Sequence, residues 1–549
     1  MQGRRGDLAA LLLLAGLWTA MAVVVRPTGE YPVADDWSYA TSVVHLMDGG
    51  RVELHPFTPT IAFTHIVFGT VVSALFGFGF ETLRIAMYFV GFVGVVATYL
   101  LVLEIARSRP LAALAAATMA TNPIYFLLAG SFMTDVSFYT MATVALWAFA
   151  RTLRTDSRGA FWLATLASTA AVLNRQVGLA FPIGFACAAI VGDGTRRLPR
   201  ALTPLVAGGA ALFAWQLLVP AAGGPSLVAN SKLVEASEFL SGPLVAVLHR
   251  VARNALDWLL YAGLLSLPVV VVAQAATRIG SRPIVLVGTL LAGLWLVLGA
   301  RPMPALAPNG NWLLPTGVGP LTLRDTMILR IDNVPHLPAI ARAALTTAAI
   351  WSAAASLVLG ATVLRRVGSA LDPHGSAARV QILLVGSGLL LVAPSLVSVF
   401  FDRYVLAFVP VTFGVAAGAL ALRARTIPRG SLLLAVGLVA IQAAISVCGG
   451  HDYYAWNRAR LDDVEWLQSA RRVPPSQVDA GFEWSGWRLF DAAYQPVPEK
   501  SWWWVKDDRW VVAFGPMPGY CEVRRATFER WLPPWGSGAV LVLERAADP

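Results

Sequence analysis

Runs of about 20 apolar residues recur along this chain of 549 residues, and no other feature constrains its fold as strongly. An α-helix of that length spans the ~30 Å hydrocarbon core of a bilayer. Only 13% of the residues are charged, whereas soluble domains carry about 25%. The sequence therefore predicts a polytopic α-helical membrane protein. The thirteen predicted spans are residues 8–25, 82–104, 111–129, 136–151, 160–174, 177–192, 201–220, 251–275, 283–300, 340–364, 379–400, 404–422 and 431–448.

Arginines in alternate loops predict the orientation of these spans, because cytoplasmic loops are enriched in Lys and Arg. With a cytoplasmic N-terminus, every short loop on the inner side carries arginines, whereas the outer loops 26–81, 221–250 and 301–339 are longer and mixed. The odd number of spans then places the C-terminus outside. Topology thus accounts for the net charge of +10, and no nucleic-acid partner is predicted. The loop arginines are Arg107, Arg109, Arg151, Arg154, Arg158, Arg196, Arg197, Arg200, Arg278, Arg282, Arg365, Arg366, Arg379, Arg423, Arg425 and Arg429.

The first outer loop contains two further stretches that favour helices. The stretch from Trp37 to Met47 is amphipathic, and the stretch from Thr60 to Phe78 is apolar. Counting the second stretch as a span would invert every later loop and move the arginine clusters outside. It is therefore predicted to be an interfacial helix that lies along the membrane.

The composition changes near Gly449, where a charged, tryptophan-rich region of about 100 residues begins. Helical periodicity near 461–471 and strand-like runs at 510–514 and 539–543 predict a small α/β domain outside the membrane. We therefore divide the chain into a transmembrane catalytic domain, 1–448, and a soluble C-terminal domain, 449–549. The tryptophans at 502–504 could stack on sugars, although packing in a core or at the headgroups is favoured. Cys448 and Cys521 could pair in an extracytoplasmic domain, which the sequence leaves open.

Charged residues at the outer ends of the predicted spans are the candidate functional residues. They are Asp35 and Asp36 after the first span, Asp135 at the start of the fourth, Arg175 between the fifth and sixth, and Arg403 at the start of the twelfth. Each has a structural interpretation, since an aspartate can cap a helix and an arginine can pair with a nearby acid or extend to the headgroups. Acids and arginines together on one membrane face favour another chemistry. The arginines would bind a lipid-linked phosphate, and a carboxylate would accept the proton of a hydroxyl.

In these short motifs the sequence resembles the GT-C membrane glycosyltransferases, in the bacterial branch related to protein O-mannosyltransferases and to the lipid A aminoarabinose transferase. The motifs are Asp35-Asp36-Trp37-Ser38-Tyr39, His55-Pro56-Phe57-Thr58-Pro59, Thr134-Asp135, Asn174-Arg175-Gln176, and Arg403-Tyr404 leading to Pro410. Each motif is weak alone, and their order, their spacing and the thirteen-span layout carry the resemblance.

The resemblance implies an inverting glycosyltransferase of the bacterial cytoplasmic membrane. A sugar would move from a polyprenyl-phosphate donor to a hydroxyl of a lipid, glycan or protein acceptor at the outer face. Asp35 would be the general base, and Asp135 the second acid, which positions donor or acceptor. Arg175, Arg403 and Tyr404 would bind the donor phosphate and stabilise it as it leaves.

One departure from the family concerns Thr58, near which relatives of the aminoarabinose type carry a lysine. His55 and Arg84 are candidates to replace it, and Asp36 stands where related proteins often carry a second acid. The family contains both metal-dependent and metal-independent members. No metal cluster is evident in the sequence, so no cofactor is predicted, although a divalent cation shared by Asp35, Asp36 and Asp135 remains an alternative.

Two other functions stay open at this point. A transporter or flippase for lipid-linked sugars would also bind a polyprenyl phosphate, but such proteins usually show internal repeats and broken helices. The sequence shows no such repeat. The chain could also be a non-catalytic member of the family that serves in assembly of the cell envelope.

Overall fold

The computed structural model describes residues 2–50, 52–193, 198–219, 227–304, 311–369, 375–421, 426–496, 503–532 and 538–546. Four of the loop arginines of the topology prediction, and one of the three consecutive tryptophans, lie outside these described residues. They are Arg196, Arg197, Arg423, Arg425 and Trp502.

Helices dominate the described chain, and a small sheet stands near its C-terminus. The helices are α1 Gln2–Val25, α2 Asp36–Gly49, α3 Phe63–Phe76, α4 Phe80–Ala106, α5 Arg109–Ala120, α6 Pro123–Leu128, α7 Thr134–Thr155, α8 Arg158–Asn174, α9 Ala180–Asp193, α10 Leu198–Leu218, α11 Leu227–Leu240, α12 Leu244–Thr277, α13 Ser281–Val297, α14 Arg324–Met327, α15 Ala339–Ser369, α16 Ser376–Leu396, α17 Val409–Ala421, α18 Arg429–Ser469 and α19 Phe482–Leu489. Short 3-10 helices occupy Gln176–Leu179, Asp402–Phe408 and Pro475–Gln477. The strands are β1 Leu313–Leu314, β2 Gly317–Val318, β3 Val478–Asp479, β4 Trp510–Ala513, β5 Tyr520–Phe528 and β6 Gly538–Arg545.

Every one of the thirteen predicted spans coincides with helical structure, so the prediction of a polytopic α-helical membrane protein is confirmed. Among the described residues, eight helices are long and apolar enough to cross a membrane on their own. The predicted span 111–129 is divided between α5 and α6, because Pro123 cannot continue the hydrogen bonding of α5. Asn122 restarts the helix by accepting the N–H groups of Ile124 and Tyr125 at 3.0 and 3.2 Å.

The loops fall into two groups that meet at opposite ends of the helical bundle. The arginine-rich end joins the N-terminal turn of α1 to the loops after α4 and α7: Arg109 pairs with Asp7 at 2.6 Å, and Arg151 pairs with Glu104 at 3.3 Å. The other group brings Asp35 and the residues near it together, and we refer to it as the Asp35 end. Arginines of the first two predicted inner loops therefore lie at one end of the bundle.

Three helices belong to the Asp35 end rather than to the spanning bundle. Two of them, α2 and α3, occupy the amphipathic and apolar stretches of the first outer loop, and α2 packs on α3. The prediction of helices in this loop is confirmed. Helix α11 was not predicted, because polar and charged residues interrupt its apolar ones and no run long enough for a span forms.

The C-terminal region forms a four-stranded sheet in the order β3-β4-β6-β5, which confirms the predicted small α/β unit. Strand β3 is parallel to β4, and the other pairs are antiparallel, with Val512 opposite Val542. Helix α18 runs without interruption across the proposed domain boundary at 448/449 and packs its last turns on β4, β5 and β6. The small sheet is thereby joined to the bundle by one continuous helix of 41 residues.

An aromatic cluster fastens the C-terminal region to the first outer loop. Trp37 is fully buried, and its ring lies 5.1 Å from Phe57, 5.7 Å from Phe490 and 5.4 Å from Trp504. Trp503 packs on Phe482 at 4.7 Å. These two described tryptophans of the 502–504 run therefore pack in a core, the interpretation that the sequence favours.

The three cysteines, Cys187, Cys448 and Cys521, are free thiols. The pairing of Cys448 with Cys521, which the sequence leaves open, is not formed in this structure.

Candidate active site

Asp135 and Arg175 form the inner part of a charged cluster at the Asp35 end. Asp135 lies in the first turn of α7, where a carboxylate interacts favourably with the helix dipole. Its Oδ2 is 2.8 Å from Nη2 of Arg175, and its side chain is almost fully buried. Arg175 also donates from Nε and Nη2 to the Thr134 hydroxyl at 3.1 and 2.7 Å. The Thr134 hydroxyl and the Asp135 carboxylate thus both contact the guanidinium of Arg175.

Arg403 connects this pair to Asp35. Its Nη2 is 3.4 Å from Oδ2 of Asp35, and its Nε is 4.0 Å from Oδ1 of Asp135. Asp35 retains 20% of its side-chain exposure, whereas Asp135 retains 1%. Two acids and two arginines that are far apart in sequence therefore form one cluster, and Asp35 is its accessible carboxylate.

Local sequence explains why Arg175 and Arg403 point into the cluster. Arg175 ends α8 in an extended conformation, and the N–H of Gly178 returns to its carbonyl at 2.8 Å. A side chain at Gly178 would place Cβ 2.7 Å from the backbone of Ala171, so the tight turn requires glycine there. Arg403 lies in the 3-10 helix before α17, and the preceding Asp402 accepts the N–H groups of Trp312 and Leu313.

Lys232 and Tyr39 complete the site. The sequence analysis assigned a role to neither, although Tyr39 stands in the first motif. Nζ of Lys232 on α11 lies 3.4 Å from the Tyr404 hydroxyl, and the Tyr404 ring lies 5.8 Å from the Arg403 guanidinium. Lys232 is one of only three lysines in the chain, which is the one signal in the sequence that could have drawn attention to it. Tyr39 is buried beside Arg175 and Asp35, and burial raises its pKa to about 12, so that its phenol stays neutral.

The balance of charge in the cluster favours an anion. Asp35 and Asp135 contribute two negative charges, and Arg175, Arg403 and Lys232 contribute three positive ones. Among the described residues, the partners of the Asp135 carboxylate are the guanidinium groups of Arg175 and Arg403, and no backbone N–H donates to it. Burial raises the pKa of Asp35, while Arg403 and Lys232 act in the opposite direction. A carboxylate whose pKa is raised toward neutrality is a better general base than an ordinary aspartate.

Asp36 has a different role from Asp35. Its side chain is buried, and it accepts the backbone N–H of Val33 at 2.7 Å and that of Phe132 at 3.4 Å. It thereby ties the first outer loop to the loop before α7. Asp35 is the N-cap residue of α2 but makes no side-chain capping bond, so its carboxylate faces Arg403 instead.

His55 and Arg84, the candidates to replace the family's lysine, are engaged elsewhere. Nδ1 of His55 accepts the N–H of Phe57, and the ring packs on Trp37 and Phe490. The buried guanidinium of Arg84 donates to four carbonyls, those of Pro27, Gly29, Tyr31 and Gly130. The structure therefore brings Lys232, rather than either of these two residues, to the charged cluster.

The arrangement of the three aspartates does not suit a shared metal ion. The oxygens of Asp36 accept backbone N–H groups, and Asp35 and Asp135 both lie against Arg403, which would repel a cation. Among the described residues, no three His, Cys, Asp or Glu side chains are grouped as metal ligands would be.

The segment before Asp35 is held by the C-terminal region. Glu483 on α19 is fully buried and accepts the N–H of Ala34 at 3.3 Å, the Thr322 hydroxyl at 2.5 Å and Nη1 of Arg460 at 2.7 Å. Arg460 also donates to the carbonyl of Pro32 at 3.3 Å. Ala34 has a φ of 51°, an unusual value for a residue with a side chain, so contacts on both sides hold this turn in place.

Comparison with known proteins gives one family match and several structural likenesses. Residues 62–220 match the family model of dolichyl-phosphate-mannose-protein mannosyltransferases. No curated protein matches the sequence. The structure of ArnT from Cupriavidus metallidurans bound to undecaprenyl phosphate is 16% identical, with a TM-score of 0.38 over 87% of this chain and 84% of that one. The archaeal oligosaccharyltransferase AglB from Archaeoglobus fulgidus, in complex with an inhibitory peptide and a dolichol-phosphate, is 14% identical. Its TM-score is 0.42 over 85% of this chain and 58% of that one.

The matched segment contains α3, α4 and α7 with Asp135 and the turn with Arg175. The family match therefore confirms, for residues 62–220, the resemblance of this membrane protein to the GT-C glycosyltransferases that its short motifs indicate.

Proposed function

We propose that this protein is an inverting glycosyltransferase that moves a sugar from a polyprenyl-phosphate donor to an acceptor hydroxyl. The observation that carries the proposal is the cluster itself: an accessible carboxylate, Asp35, stands 3.4 Å from a guanidinium in a site with excess positive charge. Such a site binds a phosphate and offers a base to a hydroxyl beside it.

In this mechanism Arg403, Arg175 and Lys232 bind the phosphate of the donor. Asp35 accepts the proton of the acceptor hydroxyl while its oxygen attacks the anomeric carbon. The bond between that carbon and the phosphate oxygen breaks, and the polyprenyl phosphate leaves with the bonding electrons. The cationic side chains stabilise the charge that develops on the leaving group, and Asp135 holds two of them in position.

The position of the cluster favours transfer over transport. Asp35, Asp135, Arg175 and Arg403 lie at helix ends or in the turns beside them, and Asp35 is partly exposed there. A transporter binds its cargo near the middle of the membrane, at broken helices. Asp135 lies in the first turn of α7 and Arg175 directly follows the last residue of α8, so neither lies at such a midpoint.

The proposed location is the outer face of a bacterial cytoplasmic membrane. The arginine-rich end would face the cytoplasm, which places the N-terminus inside. The Asp35 end and the C-terminal sheet would then face outward. Acceptors of this site include hydroxyl groups of lipids, glycans and proteins.

The decisive experiment measures release of polyprenyl phosphate from purified protein given undecaprenyl-phosphate sugars with a labelled sugar. We expect Asp35→Asn to lower this release by a factor of about 10²–10⁴, the usual contribution of a general base. Asp48→Asn is the matched control, because Asp48 is exposed on the same helix. If Asp35→Asn turned over like the wild type, the assignment of the base would be wrong. Movement of intact donor across vesicles without cleavage would instead support a flippase.

A further inference from the structure

A path of buried hydrogen bonds lies beside the inner part of the charged cluster, on residues to which the proposed mechanism gives no role. Its members are His65 on α3, Ser137 on α7 and Asn174 at the end of α8. Nε2 of His65 lies 3.3 Å from the carbonyl oxygen of Phe132, and its Nδ1 lies 3.0 Å from Oγ of Ser137. Nδ2 of Asn174 donates to the same serine oxygen at 2.9 Å. His65 and Asn174 have no exposed surface, so the path is closed to water.

The chemistry of the partners determines the direction of each hydrogen bond. A carbonyl oxygen only accepts, so Nε2 of His65 carries the hydrogen that reaches Phe132. Burial lowers the pKa of His65 to about 4, so the ring is neutral and Nδ1 accepts from the Ser137 hydroxyl. The carbonyl of Thr134 is a second, longer acceptor for that hydroxyl, at 3.2 Å. The path therefore runs in one direction, from the Asn174 amide to the Phe132 carbonyl.

Each end of this path is next to one member of the Asp135–Arg175 pair. Phe132 lies three residues before Asp135, in the loop that leads into α7. Asn174 directly precedes Arg175, and its carbonyl accepts the N–H of Ala62, the N-cap residue of α3, at 3.0 Å. The carboxylate and the guanidinium are therefore both positioned relative to α3.

The aromatic contacts of His65 do not by themselves require a histidine. Its ring stacks on Phe132 at 4.0 Å, and Tyr39 meets it edge-on at 5.7 Å. A phenylalanine ring would make the same contacts without two buried nitrogens that need partners. The property specific to histidine at this position is its pair of hydrogen bonds.

We propose that His65 is a positioning residue for the transfer reaction, and that it holds Arg175 and Asp135 in place around the leaving phosphate. This inference rests on the proposed function. His65 acts through Ser137 and Asn174 and does not itself contact the substrate. Loss of its hydrogen bonds would release the turn at Arg175, and a shift of about 1 Å at a reacting group can lower a rate about 10²-fold.

His65→Phe tests this role, because it removes both hydrogen bonds and keeps the stacked ring. We expect kcat for release of polyprenyl phosphate to fall about 30-fold and the donor KM to change less than about 3-fold, since charge develops on the phosphate as it leaves. His65→Gln should recover part of kcat, because its amide can replace one of the two hydrogen bonds. His249→Phe is the matched control, since His249 is exposed on α12. Unchanged kcat in His65→Phe, or no recovery in His65→Gln, would overturn the proposal.

Ser137→Ala interrupts the same path at a second point with a smaller change in volume, so it protects the test against misfolding of the His65 variant. We expect it to lower kcat without changing the donor KM. Because the two substitutions break one path, the double variant should lose no more activity than the more affected single variant. Independent, additive losses would overturn the proposal.

Affinity for undecaprenyl phosphate, measured by native mass spectrometry of delipidated full-length protein, separates this inference from the proposed function. The product phosphate carries more negative charge than the donor phosphodiester and so depends more on Arg175. His65→Phe and Ser137→Ala should each weaken its binding about 10-fold, the equivalent of one charged hydrogen bond. Weakened binding in a protein that transfers no sugar would refute the proposed function and support the positioning role. Wild-type affinity in both variants would overturn the positioning role, whether or not sugar is transferred.

Discussion

Two buried ion-pair clusters of this protein lie close together and differ in how completely their charges are satisfied. Glu483 has no exposed surface and accepts hydrogen bonds from Arg460, Thr322 and the backbone of Ala34. Asp135 is almost equally buried, but its partners are two guanidinium groups, Arg175 at 2.8 Å and Arg403 at 4.0 Å, and no backbone or hydroxyl group of the described residues donates to it. A buried acid normally finds such partners, because desolvation is costly without them.

The difference indicates that the Glu483 cluster stabilises the fold and that the Asp135 cluster binds a ligand. The Glu483 cluster is complete and fixes the chain just before Asp35. The Asp135 cluster is incomplete, carries one excess positive charge and leaves Asp35 partly open. An incomplete charged cluster at a membrane surface is expected to be completed by a ligand. We therefore expect substitutions in the two clusters to affect different properties.

After Asp35→Asn, the largest effect on turnover is expected for Arg403→Gln. Loss of this guanidinium removes the link between Asp35 and Asp135 and a cation that faces the leaving phosphate, so turnover should fall about 10²–10³-fold. The thermal unfolding midpoint should stay close to that of the wild type. Release of polyprenyl phosphate and unfolding are measured on the same preparation.

Arg488→Gln serves as the control for this variant, since Arg488 is exposed at the same end of the molecule. If Arg403→Gln lowered the unfolding midpoint but left the turnover of the folded protein unchanged, the cluster would be structural, and its contrast with the Glu483 cluster would disappear.

The second prediction concerns Glu483→Gln, which should chiefly lower stability. The change leaves the buried Arg460 without its charged partner, and breaking such a pair costs about 3–5 kcal/mol. Unfolding monitored by tryptophan fluorescence measures the loss.

Glu544→Gln is the matched control, because Glu544 pairs with Arg509 at an exposed position of the same C-terminal region. Exposed pairs contribute about 0–1 kcal/mol. Equal effects of the two substitutions would show that burial of Glu483 is not what fixes the first outer loop.

Sequence patterns predicted the helical framework well, because apolar periodicity and arginine placement are local signals. They also identified Asp35, Asp135, Arg175, Arg403 and Tyr404, which the structure brings together. Their assigned roles remain predictions. The Asn122-Pro123 pair indicates a break, since proline ends a helix, but the apolar run around it led to the prediction of one uninterrupted span.

The remaining features depend on contacts between distant segments and had no local signal. Glu483 lies 449 residues from Ala34, and Lys232 lies 172 residues from Tyr404. Helix α18 continues past Gly449 because its polar half packs on the sheet, which hydropathy alone does not reveal. Tertiary packing determines each of these contacts and the length of α18.

A third, smaller effect is expected in the pH dependence of turnover. Only the deprotonated form of Asp35 accepts a proton, so turnover should rise with pH through its pKa. Burial raises that pKa, which moves the acid limb above the ordinary aspartate value of about 3.9. Lys232→Gln removes a charge that lowers the pKa, so the limb should move to still higher pH.

Tyr404→Phe is the control for Lys232→Gln, because it removes the hydrogen bond to Lys232 and leaves the charge in place. Its acid limb should coincide with that of the wild type. A limb at the same pH in all three proteins would show that Asp35 does not set the pH dependence.

The last prediction concerns the pH dependence of stability and Asp36, a buried carboxyl that belongs to neither cluster. Burial raises its pKa to about 8, whereas an unfolded aspartate titrates near 3.9. The folded state therefore binds a proton that the unfolded state has lost, and the stability from this group declines as pH rises from about 4 to about 8. Asp36→Asn should flatten that part of the curve of unfolding free energy against pH. The unfolding free energy of the variant should be closest to that of the wild type at low pH, since both side chains are neutral there. Toward pH 8 it should increase relative to that of the wild type. A curve of unchanged slope would mean that Asp36 is ionised in the folded protein and belongs with the satisfied carboxylates such as Glu483.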